Sequence, residues 1–388
     1  MSGLIETLAS LGLESHLWFI GDPELPGEEE SDGLHLHRWC QWISRHHPGG
    51  VYDGEEGKRR DYISSLPPVL AARLVPELRR GGIAVVLAEE WHTADAVLHL
   101  DWLLREAGVR DRARIFWNAN NTFGFDRVDW VRLAAAARIT TVSRYMKHLM
   151  WGRGVDPVVI PNGLPADAFE APDREAIGRL RHYTGGRPLF AKMARWDPDK
   201  RWLLAVDIVG DLKREGLRPL LVARGGVEDH GHEVLASAAA AGLRVVEAST
   251  DEPGPRGLLD VLERAAGADV INLRTPVDGR ARRLVFRTAS AVLANSGREP
   301  FGLVGLEAMA VGGLACTGCS GEDYAVPGRN ALVMQTSSAR EFVHVFHRMR
   351  AHPAEEAALR VTGRRTAALF AWPEVVRRHL LPALEIEA

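Results

Sequence analysis

The chain has 388 residues, of which 46% are hydrophobic and 26% charged, and its formal net charge is -3. One hydrophobic core rarely serves that length, so two domains are expected, and mixed charge without a single-sign tail excludes nucleic acid as the main partner. Three cysteines, Cys40, Cys316 and Cys319, make no disulfide framework and point to a reducing cytoplasm; no apolar stretch reaches membrane-spanning length, and Met1 to Ser10 lacks a basic segment followed by an apolar core.

In chain order, Gly3 to Gly12 reads as the end of a helix. Residues 22–65 read as an acidic loop, Gly27 to Gly33, then turn upon turn through His46-His-Pro-Gly-Gly50 and Asp53-Gly-Glu-Glu-Gly57. His46 and His47 lack a third and fourth ligand at usable spacing, so no metal site is expected there. From Ile83 onward strands and helices alternate. Strands are expected at Ile83 to Ala88, Ala113 to Trp117, Ile139 to Val142 and Pro157 to Ile160, and helices at Ala94 to Ala107, Trp130 to Ala137 and Lys147 to Arg153. Such alternation means parallel βαβ units.

Residues 161–176 hold Pro, Asn, Gly and Asp and mark a domain boundary, after which the alternation restarts at Leu189 to Lys192 and reaches a strand at Ala291 to Ala294. The expected domains are 1–165 and 176–365, followed by a helical segment 366–388. Within the second domain, Arg280-Ala-Arg-Arg283 reads as a solvated face, and Cys316-Thr-Gly-Cys319, a lone C-x-x-C, as structural.

Residues 295–313 carry the most information. Glu299 follows the Ala291 to Ala294 run and precedes Pro300, Gly302 and Gly305, so the chain is expected to leave a strand, turn sharply and open a helix near Leu303. A helix starting there turns free backbone N–H groups and the positive end of its dipole outward, which suits a diphosphate. Phe301, Gly302, Leu303 and Val304 line that turn. Glu299 is placed to accept hydrogen bonds from sugar hydroxyls, and Glu307, about one turn into the helix, to hold a ribose. By spacing alone, an ordinary strand, turn and amphipathic helix with two surface glutamates fits equally well.

Glu299-Pro-Phe-Gly-Leu-Val-Gly-Leu-Glu-Ala-Met-Ala310 resembles the E-x7-E signature of retaining glycosyltransferases of family 4, which have the GT-B fold. Thr141-Val-Ser-Arg-Tyr145, Val159-Ile-Pro-Asn-Gly163 and Met193-Ala-Arg-Trp-Asp-Pro-Asp-Lys200 resemble further segments of that family, in the same order along the chain. Glu90-Trp-His-Thr-Ala94 is similar to a run in bacterial glycogen synthases, and Leu369-Phe-Ala-Trp372 to a C-terminal F-x-W. The resemblance extends from about Ile83 to the end and is weaker before it. It implies an α/β protein with two Rossmann-like, doubly wound parallel-sheet domains facing across a cleft, with Trp372 to Leu384 crossing back onto the first domain. The first strand and Gly-rich loop usual in the family are missing from the sequence, through a start set downstream or a rearranged first domain, and neighbouring strands are expected to have unpaired backbone groups.

The implied activity is transfer of a sugar from a nucleotide-diphosphate sugar to a carbohydrate or small-molecule hydroxyl, with retention of configuration. The leaving phosphate itself helps the acceptor lose its proton, and closure about residues 161–176 excludes water. No cofactor or metal is expected: Asp197-Pro-Asp199 has D-x-D spacing, but the proline and the flanking Arg195 and Lys200 suit a cationic loop better. Arg195 and Lys200 are the expected phosphate clamp, working with Glu299 at the catalytic centre. Asn120 and Asn121 stand where the family often has His-Asn and are assigned to donor binding. His92 is either structural or on the acceptor side, where Ser143, Arg144 and Tyr145 are also placed. A non-catalytic sugar-nucleotide or glycan-binding protein on the same fold is the alternative. A nicotinamide dehydrogenase is disfavoured, because no G-x-G-x-x-G follows a strand with an acidic residue about 20 positions on.

Overall fold

The computed structural model describes residues 2–50 and 52–384. By internal contacts the chain divides into Met1–Gly163 with Trp372–Ala388, and Leu164–Ala371. The division falls at Gly163 and at Ala371, so residues 164–176 group with the second unit and the return begins at Trp372 rather than at 366. Residues 385–388, the last of the expected C-terminal helix, lie outside the described residues.

The first unit holds β1 (Ser15–Ile20), β2 (Glu28–Ser31), β3 (Leu34–Trp39), β4 (Ala84–Glu89), β5 (Ala113–Ala119), β6 (Arg138–Thr141) and β7 (Val158–Val159). They form two sheets, β1-β3-β2 and β4-β5-β6-β7. The second is parallel throughout, as the alternation requires. Among the described residues no strand pairs with the second edge of either β1 or β4. Their side chains are mostly half-buried, whereas β5 is buried at five of its seven positions. The helix Ser2–Ser10 spans the two sheets: its Leu4 and Leu8 pack in one cluster with Leu87 of β4, Phe116 of β5 and Val376, Leu380 and Leu384 of the C-terminal helices, while the helix itself lies on β1.

Residues 22–65 correct the sequence reading. In place of the acidic loop stand β2 and β3, and a 25-residue helix, Glu55–Arg79, starts within the expected turns, whereas residues 45–46, 48–49 and 52–54 are turns as expected. Glu28, Glu29 and Glu30 form an exposed antiparallel edge strand on β3. An acidic strand without an apolar alternation is unreadable as a strand, because its partners supply the reason it pairs: Arg38 holds Glu29 at 2.7 Å, and His37 lies 3.3 Å from Glu28. The long helix was hidden by Pro67, Pro68 and Pro76, which it contains nonetheless; Leu66, Ala71 and Leu78 give it a buried stripe.

The second unit holds β8 (Leu189–Met193), β9 (Leu220–Arg224), β10 (Val245–Ala248), β11 (Val270–Leu273), β12 (Ala291–Ala294), β13 (Ala315–Thr317) and β14 (Leu332–Val333). They make one all-parallel sheet in the order β10-β11-β9-β8-β12-β13-β14. Its strands are apolar runs because helices cover both faces: β11 is buried at all four positions and β8 at four of five. Trp202, Ile208, Val209 and Leu212 on one helix and Phe342 and Phe346 on another form the core against Phe190. The chain runs one way from β8 to β9 and the other way to β12. The order therefore reverses between β8 and β12, and in open parallel sheets ligands bind beyond the carboxyl ends of the strands at that point.

Candidate active site

The loops leaving β8 and β12 are tied together. Gly297 N donates to Asp199 O at 2.7 Å, and Arg298 N to the Asp199 carboxylate at 3.2 Å. Asp197 accepts from Asp199 N at 2.8 Å as the cap of the short helix Pro198–Lys200. Both carboxylates of the D-x-D spacing thus organise the loop itself. With the two loops fixed, Lys200 Nζ meets Glu299 Oε2 at 2.6 Å, and both side chains are about four-fifths buried. Arg195 is exposed at the same strand end, and among the described residues its guanidinium forms no ion pair.

After Glu299 the chain turns through Phe301, which is buried against Tyr324 and Phe370 with ring centroids 5.8 and 6.0 Å away. Gly302 has φ 78°, a left-handed conformation that glycine adopts at no steric cost. A Cβ at Gly302 would stand 2.6 Å from Glu322 Cγ, and one at Gly305 2.6 Å from the Tyr324 hydroxyl oxygen. The helix Leu303–Ala310 therefore begins against a crowded wall, with Gly302 as its N-cap and no side-chain cap hydrogen bond. Its first N–H groups, on Leu303 and Val304, have no intrahelical acceptor and remain available to an anion. Tyr324 donates to Gly302 O and fixes the turn from behind.

Glu307 lies on this helix with Arg282 Nη2 3.2 Å from its Oε1. Burial raises its carboxyl above the ordinary glutamate value, against the opposing charge of Arg282. The Arg280 to Arg283 run is accordingly more than a solvated face. Arg283 is buried and pairs with Asp167 at 3.1 Å and Glu170 at 2.7 Å, so the helix Gly279–Thr288 points two of its cations inward.

Two buried groups of the site had no signal in the sequence. Glu322 is 5% exposed, and its Oε1 has no hydrogen-bond partner among the described residues. Burial, with the charge of Glu299 in support, pushes its carboxyl up to about 7. Ser320 joins it to the loop, its Oγ accepting from Glu299 N at 2.9 Å and its N–H donating to Glu322 at 3.1 Å. Lys192 on β8 is 1% exposed, donates to Leu293 O at 2.9 Å and to Asn295 Oδ1 at 3.2 Å, and is held by burial at about 7.

The remaining sequence candidates lie in the first unit. Glu90, with φ 68°, follows β4; its carboxylate accepts from Asn121 Nδ2 at 3.0 and 3.1 Å and from Asn120 N at 3.3 Å, and Glu89 accepts from Asn120 Nδ2 at 3.2 Å. Both asparagine amides thus serve neighbouring carboxylates, and burial pushes Glu90 up to about 7. His92 Nε2 lies 2.6 Å from Glu55 Oε1, with the His92 ring against Trp91 at 4.0 Å. Ser143 is fully buried, and its hydroxyl accepts from Met146 N at 3.1 Å as the cap of the helix Arg144–Trp151. Arg144 is exposed and Tyr145 half-buried at the start of that helix.

The topology of the chain is that of GT-B glycosyltransferases. Over 98% of this chain and 91% of the other, the structure is similar to sucrose-phosphate synthase from Thermosynechococcus elongatus, with a TM-score of 0.65 at 18% identity. A second neighbour is the UDP-forming alpha,alpha-trehalose-phosphate synthase of Burkholderia xenovorans in complex with glucose-6-phosphate, with a TM-score of 0.65 at 13% identity over 99% of this chain and 96% of that one. Among curated proteins, the D-inositol 3-phosphate glycosyltransferase of Streptomyces avermitilis is 30% identical over 235 residues, which is 58% of this chain; the match spans 46% of that relative's length. No protein-family model matches the chain. The fold is therefore GT-B, with two Rossmann-like units. Among the described residues no helix is long and apolar enough to cross a membrane.

Proposed function

We propose that the protein is a retaining, metal-independent glycosyltransferase of family 4 that moves a sugar from a nucleotide-diphosphate sugar to a hydroxyl of a carbohydrate or small-molecule acceptor. The observation that carries this reading is the Lys200–Glu299 pair at the β8/β12 switch point, beside a helix start without a side-chain cap. In the absence of donor, Glu299 neutralises Lys200. A diphosphate competes for the ammonium, joined by Arg195 and the N–H groups of Leu303 and Val304, and Glu299 is released towards the sugar hydroxyls. Glu307, held by Arg282, accepts from the ribose. In the transfer step the bond from the anomeric carbon to the phosphate oxygen breaks, the acceptor oxygen bonds to that carbon on the same face, and the acceptor's proton passes to the leaving phosphate. Lys200 and Arg195 meet the charge that builds on that phosphate.

The support for this reading is the motif order in the sequence, the geometry of the second unit and the enzymes whose fold it shares. A uridine diphosphate sugar is the first donor to try, since the Burkholderia xenovorans neighbour is UDP-forming. The test is to incubate the protein with UDP-glucose and other nucleotide sugars and a panel of sugars and sugar phosphates, and to follow nucleotide release and the anomeric proton of the product by NMR. An α-linked product from an α-linked donor, formed in EDTA, supports the proposal; an inverted product or dependence on added metal overturns those parts of it.

A second reading, a binding protein without turnover, is favoured by one observation: among the described residues β1 and β4 each leave an edge unpaired within the first unit, with half-buried side chains along both. It is the outcome if nucleotide sugars bind and no acceptor yields product.

A further inference from the structure

The three-stranded sheet of the first unit gathers histidines that are far apart in the sequence. His16 of β1 pairs with His35 of β3, and Trp18 with His37. Glu30 and Glu28 of β2 face His35 and His37 from the other side. Cross-strand partners project to the same face of a sheet, so all six side chains share one surface. The rings are stacked there: His16 on His35 with centroids 4.4 Å apart, and Trp18 on His37 at 3.8 Å.

The hydrogen bonds assign the tautomers. His16 Nδ1 lies 2.9 Å from His37 Nε2, and His37 Nδ1 lies 3.3 Å from Glu28 Oε1. A carboxylate only accepts, so His37 Nδ1–H donates to Glu28, and His37 Nε2 then accepts from His16 Nδ1. His37 is 3% exposed, so this contact is held inside the sheet face. The other nitrogen, His16 Nε2, meets Glu14 Oε1 at 3.1 Å, a contact in which the carboxylate accepts, and a cation that takes this nitrogen's lone pair displaces that hydrogen. A ring nitrogen of His35 completes a set in which Glu14, His16 and His35 each bring one ligand atom, all within 4.8 Å of one another.

We infer that Glu14, His16 and His35 form a binding site for a divalent transition cation of the zinc class. Two imidazoles and a carboxylate are the donor types such an ion takes; their ligand atoms lie within 4.8 Å of one another, and the His35 ring has to turn out of its stack on His16 for both lone pairs to meet one ion at the roughly 2.0–2.2 Å that zinc bonding requires. Water takes the fourth position, because Glu14 is 76% exposed at its side chain. His37 and Glu28 supply the outer shell that orients His16, the arrangement that metal-ligating histidines usually have. The bound ion cross-links the start of β1 to β3, in the sheet whose β1 edge has no second partner among the described residues.

The test uses the full untagged chain, stripped with EDTA and dialysed, and titrated with zinc chloride by calorimetry and against a chromophoric zinc indicator. One equivalent is expected to bind, with a rise in Tm that EDTA reverses. Removing a ligand is expected to weaken binding by about 10-fold or more, as in Glu14→Gln, and His16→Ala and His35→Gln are expected to abolish it. His46→Ala and His47→Ala serve as controls that keep full affinity. Glu14→Gln changes an exposed side chain, so it reports on binding even where a histidine variant fails to fold. X-ray absorption of the zinc form is expected to show nitrogen and oxygen ligands at about 2.0–2.2 Å. Absence of binding at 100-fold excess zinc, or equal affinity in wild type, Glu14→Gln and His16→Ala, overturns the inference.

Discussion

Lys200 and Glu299, 99 positions apart in the chain, meet at 2.6 Å where the order of the parallel sheet reverses. The contact depends on loop hydrogen bonds that hold residues 197–201 against 297–299, so each side chain is positioned before any ligand arrives. Removing either partner is expected to leave the other partly buried and uncompensated.

Lys200→Ala is expected to lower transfer by about 100-fold or more, because it removes a cation from the developing phosphate charge. Glu299→Ala is expected to cut transfer comparably. The two variants separate in the binding of nucleotide diphosphate without a sugar: Lys200→Ala weakens it, whereas Glu299→Ala leaves it unchanged or strengthens it by freeing Lys200. Equilibrium titration of both variants checks this, and equal loss of nucleotide binding in the two contradicts the division of roles.

Glu307→Gln is expected to raise the Kd for nucleoside diphosphate by about 10-fold, since a charged acceptor for the ribose is lost. It should have little effect on inorganic diphosphate, which has no ribose. Arg282→Ala, which leaves the half-buried Glu307 without its cation, is expected to act in the same direction through Glu307 rather than through the phosphates. Comparing diphosphate with nucleoside diphosphate across these variants is the measurement.

Gly302→Ala and Gly305→Ala are expected to destabilise the second unit by about 1–3 kcal/mol each, for different reasons. The first forces a Cβ into a left-handed backbone conformation and against Glu322; the second drives one into the Tyr324 hydroxyl and Thr317 Cγ2, at 2.6 and 2.8 Å. Tyr324→Phe combined with Gly305→Ala removes the closest atom and should recover part of the loss. Thermal unfolding of the three variants checks this.

The buried Glu322 carboxyl makes stability depend on pH. Its folded value of about 7 lies above the ordinary 4.5, so the folded protein retains a proton that the unfolded chain has released. The contribution is complete below about 4.5 and is lost as the pH rises towards 7. Glu322→Gln, neutral throughout, is expected to remove this decline. Urea midpoints of wild type and variant at pH 4.5, 6 and 7.5 measure it; parallel pH profiles contradict the assignment.

The second unit was largely legible in the sequence because its strands are short apolar runs between helical patterns, and the strands at Leu189–Met193 and Ala291–Ala294 fall where the pattern puts them. Glu299, Arg195 and Lys200 were legible as residues of loops that leave such strands. Glu322, Ser320 and Tyr324 were not: they reach the site from the loop after β13, and no spacing in the sequence joins that loop to Glu299. Arg282 was hidden within an arginine run whose inward-facing members are decided by helix phase and by the acids opposite. In the first unit, β2 and the His16–His35 pair were unreadable because both depend on the register with β3. Asn120 and Asn121 were read as donor-binding and Ser143 as lying on the acceptor side, and only the structure shows that Glu89, Glu90 and a helix N-terminus are their hydrogen-bond partners.

The central claim is that the second unit binds a nucleotide-diphosphate sugar through Lys200 and Glu299. Its most direct measurement is isothermal titration of the wild-type chain and of Lys200→Ala with UDP, ADP and GDP and their glucose conjugates. Saturable binding of one nucleotide family, weakened by about 10-fold or more in a folded Lys200→Ala protein, is the expected result. Binding of no nucleotide by the folded wild type, or equal binding by both proteins, contradicts it.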